Sequence, residues 1–295
     1  MKGKESKKMN RRDFLKFFSC AIMAANTWSS PSVEAKGLTE DEKIFLDKIT
    51  MAEKKNLFKK PLNNIITETG KSFLKTPYVP DTLDNSGNEA LVTNLHGLDC
   101  WTFFENTLAI SRVIKKREKT FDDYKKELEF IRYRNGIRNG YTSRLHYFVD
   151  WIYDNSKKSI VKDINRDLGG IKLNKKINFM TGHRESYPPL KSDEDFNKLK
   201  KIEKDINSRV QYYIPTEMIP KIEDKLKDGD IIGLGTTIEG LDVTHTGYIY
   251  KIKGISHMLN ASSKTGSVEI SDCTLYDYLI SVEKPGIIVA RALDI

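Results

Sequence analysis

The sequence predicts an α+β domain in which helices come first and antiparallel strands follow. Through the first two thirds of the chain, apolar residues recur at the spacing of one helix face. From Asp228 onward the period changes to two, and short apolar runs alternate with turn residues. A chain of 295 residues is long enough to bury one large core. Helices followed by hairpin-connected strands are typical of α+β architecture.

The helices are predicted in chain order. Thr39 to Glu42 resembles a helix start within 38–75, and residues 57–69 continue the pattern. A loop rich in Pro, Gly, Asn and Asp at 77–88 leads to a helix that begins at Cys100. Further helices are predicted over 120–131, over 144–155, and within a polar surface insertion at 188–207.

The strands are short, apolar and bounded by Gly, Lys, Asn or Ser. We predict them at 230–234, 242–251, 255–261, 267–270 and 286–291. Their short connections indicate antiparallel hairpins.

Cys100 opens the apolar helix and is the residue to which we assign chemistry. Gly97 permits a tight turn before it, and Asp99 is placed to cap the helix. A helix N-terminus stabilises a thiolate, so we expect the pKa of the Cys100 thiol to be lowered. The alternative is a buried structural cysteine, because free cysteines are often buried and inert.

A histidine and an asparagine are predicted to lie side by side on two adjoining strands. His245 stands in a strand-like segment whose hairpin mate is 255–261. If the turn centres between Ile252 and Lys253, Asn260 lies directly opposite His245. A lone strand histidine is more often a core residue. Together with a cysteine, however, the pair supplies a nucleophile, a general base and an amide that orients the imidazole.

Several segments match one group of enzymes. They are Gly97-Leu98-Asp99-Cys100-Trp101-Thr102-Phe103, Lys227-Asp228-Gly229-Asp230-Ile231-Ile232, His245-Thr246-Gly247 and Asn260-Ala261-Ser262-Ser263, with 144–151, 240–242, 274–279 and 286–291 in support. This pattern resembles NlpC-type papain-like cell-wall hydrolases, most of all their N-acetylmuramoyl-L-alanine amidase-like branch. The resemblance runs from about Thr93 to Arg291.

The resemblance implies a papain-like NlpC-type fold, with the nucleophile at a helix start packed on an antiparallel sheet. It also implies cysteine-dependent hydrolysis of the amide between N-acetylmuramic acid and L-alanine, in cell wall or in muropeptides. The third catalytic position is commonly His in such enzymes and is Asn260 here. An amide oxygen can still accept a hydrogen bond from the imidazole.

Two other functions stay open at this point. The same triad serves wall-peptide endopeptidases that cut after D-glutamate. A non-catalytic wall-binding protein could retain the fold, although such a protein has no need to keep Cys100, His245 and Asn260 together.

Five further residues are candidates for substrate binding. Asp99 and Asp242 flank the two catalytic segments, while Tyr141, Arg144 and His146 form a polar-aromatic group that could reach a sugar or a carboxylate. For each of them, a helix cap or a buried ion pair is an equally open alternative.

The first 35 residues predict export. Asn10-Arg11-Arg12-Asp13-Phe14-Leu15-Lys16 resembles a twin-arginine signal, and a modestly apolar run follows it. We therefore expect a signal over 1–35 and a single amidase-like catalytic domain with helical insertions over 36–295. We expect a periplasmic or secreted monomer with no stable membrane insertion after the signal is removed.

Charge and composition narrow the partners. The formal net charge is +8, and removal of the signal leaves about +4. This mild excess argues against nucleic-acid binding and suits an anionic wall polymer such as peptidoglycan. The five histidines show no zinc-ligand spacing, so we expect neither a metal nor a cofactor. We expect Cys100 and Cys273 to be reduced.

Overall fold

An eight-stranded sheet, antiparallel throughout, forms the central layer of the protein. The structure is a computed structural model that describes residues 37–83 and 89–295, of which Thr39 to Ile295 form one compact unit. The predicted export signal over 1–35 lies outside the described residues.

Most of the helices lie in the first two thirds of the chain, where they alternate with short 3-10 turns. Their bounds are α1 Glu40–Lys54, α2 Leu62–Lys71, α3 Cys100–Lys116, α4 Phe121–Arg132, α5 Phe148–Lys157, α6 Phe179–Gly182, α7 Asp193–Ser208, α8 Ile219–Ile222 and α9 Leu275–Ser281.

The strands are β1 Val161–Asp163, β2 Ile171–Lys172, β3 Tyr212–Pro215, β4 Ile231–Gly235, β5 Val243–Ile252, β6 Ile255–Ser262, β7 Ser267–Ile270 and β8 Gly286–Ala292. They lie in the order β2-β3-β8-β4-β5-β6-β7, and β1 also pairs with β8. Strands β4 to β8 agree with the sequence prediction to within one residue at each end.

Both faces of the sheet are buried, and this arrangement sets the position of α3. On one face, Phe103 and Phe104 of α3 share a core with Tyr248 of β5 and Leu259 of β6. On the other face, Ile249 and Met258 of the same strands pack in a second core with Leu275 and Leu279 of α9. The α+β class predicted from the sequence is confirmed.

Two features differ from the prediction. Strands β1 to β3 lie within the helical part of the chain and were not predicted, because they have only two to four residues and much of β1 and β2 is exposed. Helix α5 begins at Phe148 rather than Arg144. Tyr141–Ser143 forms a 3-10 turn, and Arg144 is extended and bridges Tyr133 across the chain.

Candidate active site

Cys100 is the first residue of α3, as the sequence predicts. The Asp99 carboxylate accepts a hydrogen bond from the Thr102 backbone N–H at 2.7 Å, and the Thr102 hydroxyl accepts one from the Asp99 N–H at 3.0 Å. This reciprocal cap satisfies two groups that a helix end leaves without a partner. The cap ends the preceding loop and fixes the position of Cys100 at the start of α3.

His245 and Asn260 meet as predicted, but through a different register. Tyr248 pairs with Leu259 and Ile252 with Ile255, so the turn residues are Lys253 and Gly254. Asn260 is therefore not directly opposite His245 but diagonal to it on the same face. The turn has positive φ at both central residues, 51° and 86°, which is the geometry that matches strand twist in a two-residue hairpin.

The absence of a side chain at Gly247 makes this diagonal contact possible. Continuing the register places Gly247 across from Asn260, and a Cβ on Gly247 would lie 2.7 Å from the Leu259 carbonyl oxygen and 2.9 Å from the Asn260 Cβ. The space beside Gly247 is therefore filled by the neighbouring strand. Asn260 is fully buried there, and its Oδ1 lies 2.8 Å from Nε2 of His245.

The hydrogen bonds of Asn260 define the protonation of the ring. Its Nδ2 donates to the Met258 carbonyl at 3.4 Å, which leaves Oδ1 facing His245. An amide oxygen only accepts, so Nε2 of His245 carries the proton and Nδ1 is the basic nitrogen.

Strand β5 is attached to the start of α3. Thr246 Oγ1 donates to the Cys100 carbonyl at 2.8 Å, and Tyr248 Oη donates to the Phe104 carbonyl at 2.6 Å. Two strand residues advance about 6.6 Å and four helix residues about 6 Å, so the two contacts match in spacing. Because Thr246 adjoins His245, the first contact holds the histidine strand against the cysteine.

Cys100 and His245 are both neutral groups. Burial lowers the pKa of His245 to about 4, with a smaller contribution from Lys284, while the hydrogen bond to Asn260 opposes the shift. Burial raises the pKa of Cys100 to about 12, and the charge of Asp99 adds to the effect. The lowered thiol pKa expected from the helix N-terminus is therefore wrong, because burial outweighs the helix dipole.

Two tyrosines that interact electrostatically with Cys100 were not singled out as site residues from the sequence. Burial raises the pKa of Tyr78, and electrostatic interactions with Cys100, Asp99 and Asp81 add to this. Burial likewise raises the pKa of Tyr278 to about 12, with contributions from Glu269, Cys273 and Cys100. Both hydroxyls stay protonated near the thiol, which makes them hydrogen-bond donors. Their approach comes from tertiary contacts that no local pattern reveals.

Asp99 and Asp242 both cap helices. Asp99 caps α3, as described above, and its pKa is raised by burial. Asp242 accepts from the Val149 N–H at 2.9 Å, in the first turn of α5, and burial raises its pKa to about 6. These contacts are the helix-cap alternative that the sequence left open. Asp99 directly precedes Cys100, and Asp242 lies three residues before His245.

Tyr141, Arg144 and His146 lie together. The Tyr141 and His146 rings are 4.4 Å apart, and the Arg144 guanidinium lies 5.0 Å from the Tyr141 ring centre. Arg144 also donates to the Leu83 carbonyl at 2.6 Å, and its Nε lies 3.5 Å from a Glu89 carboxylate oxygen. Arg144 also forms the backbone bridge to Tyr133 described above. Among the contacts that the structure describes for these three residues, none is to Cys100 or His245.

Within residues 37–83 and 89–295, no group of three or more His, Cys, Asp or Glu side chains is arranged to hold a metal ion. Cys100 and Cys273 are both free thiols. No helix in this part of the chain is both long and apolar enough to cross a bilayer.

The comparisons with protein families and with solved structures point to the same family. The model of the N-acetylmuramoyl-L-alanine amidase-like family matches residues 68–287. An N-acetylmuramoyl-L-alanine amidase from Bacteroides uniformis has 32% sequence identity and a TM-score of 0.74, over 79% of this chain and 99% of that one. No curated protein matches the chain.

Two further solved structures are similar. A xylanase candidate from Bacteroides fragilis has 35% identity and a TM-score of 0.70, over 76% of this chain and 99% of its own. A Legionella pneumophila protein has 20% identity and a TM-score of 0.65, over 86% and 95% of the two chains, and so shares the fold. The family match covers well over half of the sequence and includes every residue of the Cys100, His245 and Asn260 constellation. The chain therefore belongs to the N-acetylmuramoyl-L-alanine amidase-like family.

Proposed function

We propose that this protein is a cysteine-dependent amidase that hydrolyses the bond between N-acetylmuramic acid and L-alanine in peptidoglycan or its fragments. The observation that carries the proposal is the 2.8 Å contact of His245 Nε2 with Asn260 Oδ1, on a strand tied to the carbonyl of Cys100. The family match and the amidase from Bacteroides uniformis support this choice of bond.

The charge state of the resting site suggests how the reaction begins. With the pKa of His245 near 4 and that of Cys100 near 12, both groups are neutral at pH 7. Transfer of the thiol proton to Nδ1 of His245 therefore accompanies attack of Sγ on the lactyl carbonyl of the muramic acid. Asn260 accepts a hydrogen bond from Nε2 of His245, and this keeps the ring in the tautomer whose Nδ1 can accept that proton.

The remaining steps follow from the same groups. The imidazolium returns its proton to the departing amine of L-alanine, which leaves a muramoyl thioester on Cys100. Water, deprotonated by His245, then hydrolyses the thioester and regenerates the thiol. The Cys100 backbone N–H at the helix start is one donor for the oxyanion. The protonated hydroxyls of Tyr78 and Tyr278 are candidates for a second donor, because their pKa values are raised and both interact electrostatically with Cys100.

Digestion of a defined muropeptide tests the bond that is cut. An N-acetylmuramoyl tetrapeptide should yield free N-acetylmuramic acid and an intact peptide with an L-alanine N-terminus, identified by mass. A muramoyl dipeptide ending in D-glutamate would instead indicate the endopeptidase, and binding without turnover would indicate the wall-binding protein. Xylan serves as a control substrate, because one relative is described as a xylanase candidate.

We also propose that the enzyme acts outside the inner membrane after export by a twin-arginine signal at Arg11 and Arg12. Peptidoglycan lies outside that membrane, so the proposed substrate and the proposed signal agree. Replacing both arginines by lysine should retain the precursor in the cytoplasm, because the guanidinium pair is read rather than charge alone. Unchanged export of the double variant would contradict this route.

A further inference from the structure

Lys284 places a positive charge beside the catalytic strand. It lies in the connection between α9 and β8, where its N–H donates to the Leu279 carbonyl at 2.9 Å and its carbonyl accepts from the Thr216 hydroxyl at 2.6 Å. Its half-buried side chain donates from Nζ to the Thr244 hydroxyl at 2.8 Å. Because the backbone is fixed on both sides, the ammonium group is held next to the residue that precedes His245.

This ammonium group differs from two other partly buried lysines, which have carboxylate partners. Lys251 pairs with Glu223 at 2.8 Å and Lys158 with Asp154 at 2.7 Å. In the part of the chain that the structure describes, no carboxylate lies within ion-pair distance of Lys284, and burial lowers its pKa without an opposing negative charge. A partly desolvated cation without a counter-charge is costly to keep, which makes it a favourable place for an anion to bind.

The position of this charge connects it to the reaction. The ammonium group contacts the hydroxyl of Thr244, the residue that precedes His245 in β5, and it also contributes to the lowered pKa of His245. An anionic group bound by Lys284 would therefore lie close to the scissile bond. The only carboxyl group of N-acetylmuramic acid is already part of that amide bond. In the substrate, the nearest free carboxylates belong to the D-glutamate residue that follows L-alanine.

We propose that Lys284 binds a carboxylate of the peptide stem and makes the enzyme select acidic stems over amidated ones. This inference rests on the proposed amidase function and adds a specificity-determining residue to it. Thr244 orients the ammonium group. The substrate carboxylate supplies the anionic partner that the ammonium group does not find among the described residues. A charge-assisted hydrogen bond of this kind corresponds to about tenfold or more in binding.

A matched pair of substrates tests the proposal. N-acetylmuramoyl-L-alanyl-D-glutamate carries two free carboxylates, and its diamide carries none but has the same scissile bond. For the unaltered protein, kcat/KM should be about tenfold or more higher for the acid than for the diamide, mainly through KM. The quantity compared among variants is the ratio of the two kcat/KM values, which a general loss of activity does not change.

Three variants complete the design. Lys284→Gln should bring the ratio close to one, and Lys284→Arg should restore most of it because the charge is retained. Lys253→Gln removes one positive charge from the exposed turn at the far end of β5 and should leave the ratio unchanged. The melting temperature of each variant shows whether it is folded at the assay temperature.

The outcomes separate this inference from the function on which it rests. Equal turnover of both substrates by the unaltered protein, or a preference that survives in Lys284→Gln, would overturn the role of Lys284 and leave the amidase intact. Hydrolysis of neither substrate would overturn the amidase proposal and the inference together. Loss of the preference in Lys284→Gln, with its recovery in Lys284→Arg, supports the proposal.

Discussion

His245 Nε2 lies 2.8 Å from Asn260 Oδ1, although the two residues are diagonal rather than opposite neighbours in the sheet. The contact spans two strands because Gly247, the residue across from Asn260, has no side chain. Diagonal neighbours on one face are within reach of long side chains. The orientation of the His245 imidazole therefore depends on the hairpin register and on one glycine.

Asn260 is expected to orient the base rather than to react. Asn260→Ala should lower kcat by about 10-fold to 1000-fold, because the imidazole loses the acceptor that fixes its tautomer. Asn260→Asp and Asn260→His should keep substantial activity, since each supplies an acceptor. Steady-state kinetics on a defined muropeptide measures this. An alanine variant as active as the parent would remove Asn260 from the mechanism.

Gly247→Ala should reduce both activity and stability. The new Cβ would meet the Leu259 carbonyl at 2.7 Å and the Asn260 Cβ at 2.9 Å, so the strands or the asparagine must shift. Overpacking of this kind costs about 1–3 kcal/mol of unfolding free energy. Gly182→Ala is the matched control, because nothing lies within 4 Å of a Cβ there. Equal effects of the two substitutions on kcat and on thermal unfolding would show that the close packing at Gly247 matters for neither activity nor stability.

The lowered pKa of His245 predicts activity in mildly acidic solution. His245 acts as a base only when neutral, and burial brings its pKa to about 4, so protonation removes the base only near that pH. The pH profile of kcat/KM should stay level from about pH 7 to about pH 5 and reach half of its plateau near pH 4. An acidic midpoint close to the ordinary histidine value of about 6.5 would contradict a buried, neutral imidazole.

Alkylation should reveal the raised pKa of Cys100. Iodoacetamide reacts with thiolates, and burial keeps Cys100 protonated while Cys273 is exposed. At about pH 8, peptide mapping should find Cys273 modified faster than Cys100, and both should be modified in denaturant. Faster labelling of Cys100 in the folded protein would indicate a preformed thiolate instead.

The sequence was most informative where local chemistry decides the structure. The start of α3 at Cys100 follows from a capping carboxylate at Asp99, and the strands from β4 onward follow from their alternation. The face shared by His245 and Asn260 was correct although the pairing was displaced. Moving the turn centre from 252.5 to 253.5 shifts the opposing residue by two positions, and a shift of two preserves the face.

Other features could not be read from local pattern. Tyr78 and Lys284 approach the site only through the fold, from positions 22 residues before Cys100 and 39 residues after His245. The pKa of Cys100 depends on how deeply α3 packs, which the helix start alone does not determine. The roles of Tyr141, Arg144 and His146 in substrate binding stay predictions.

A pair of single substitutions tests most directly whether Cys100 is the nucleophile. Turnover of a defined muropeptide is measured for Cys100→Ala and Cys273→Ala, with circular dichroism to verify that each is folded. We expect no detectable product from Cys100→Ala and turnover within about twofold of the parent from Cys273→Ala. Hydrolysis by folded Cys100→Ala at the parent rate would contradict the assignment of Cys100 as the nucleophile.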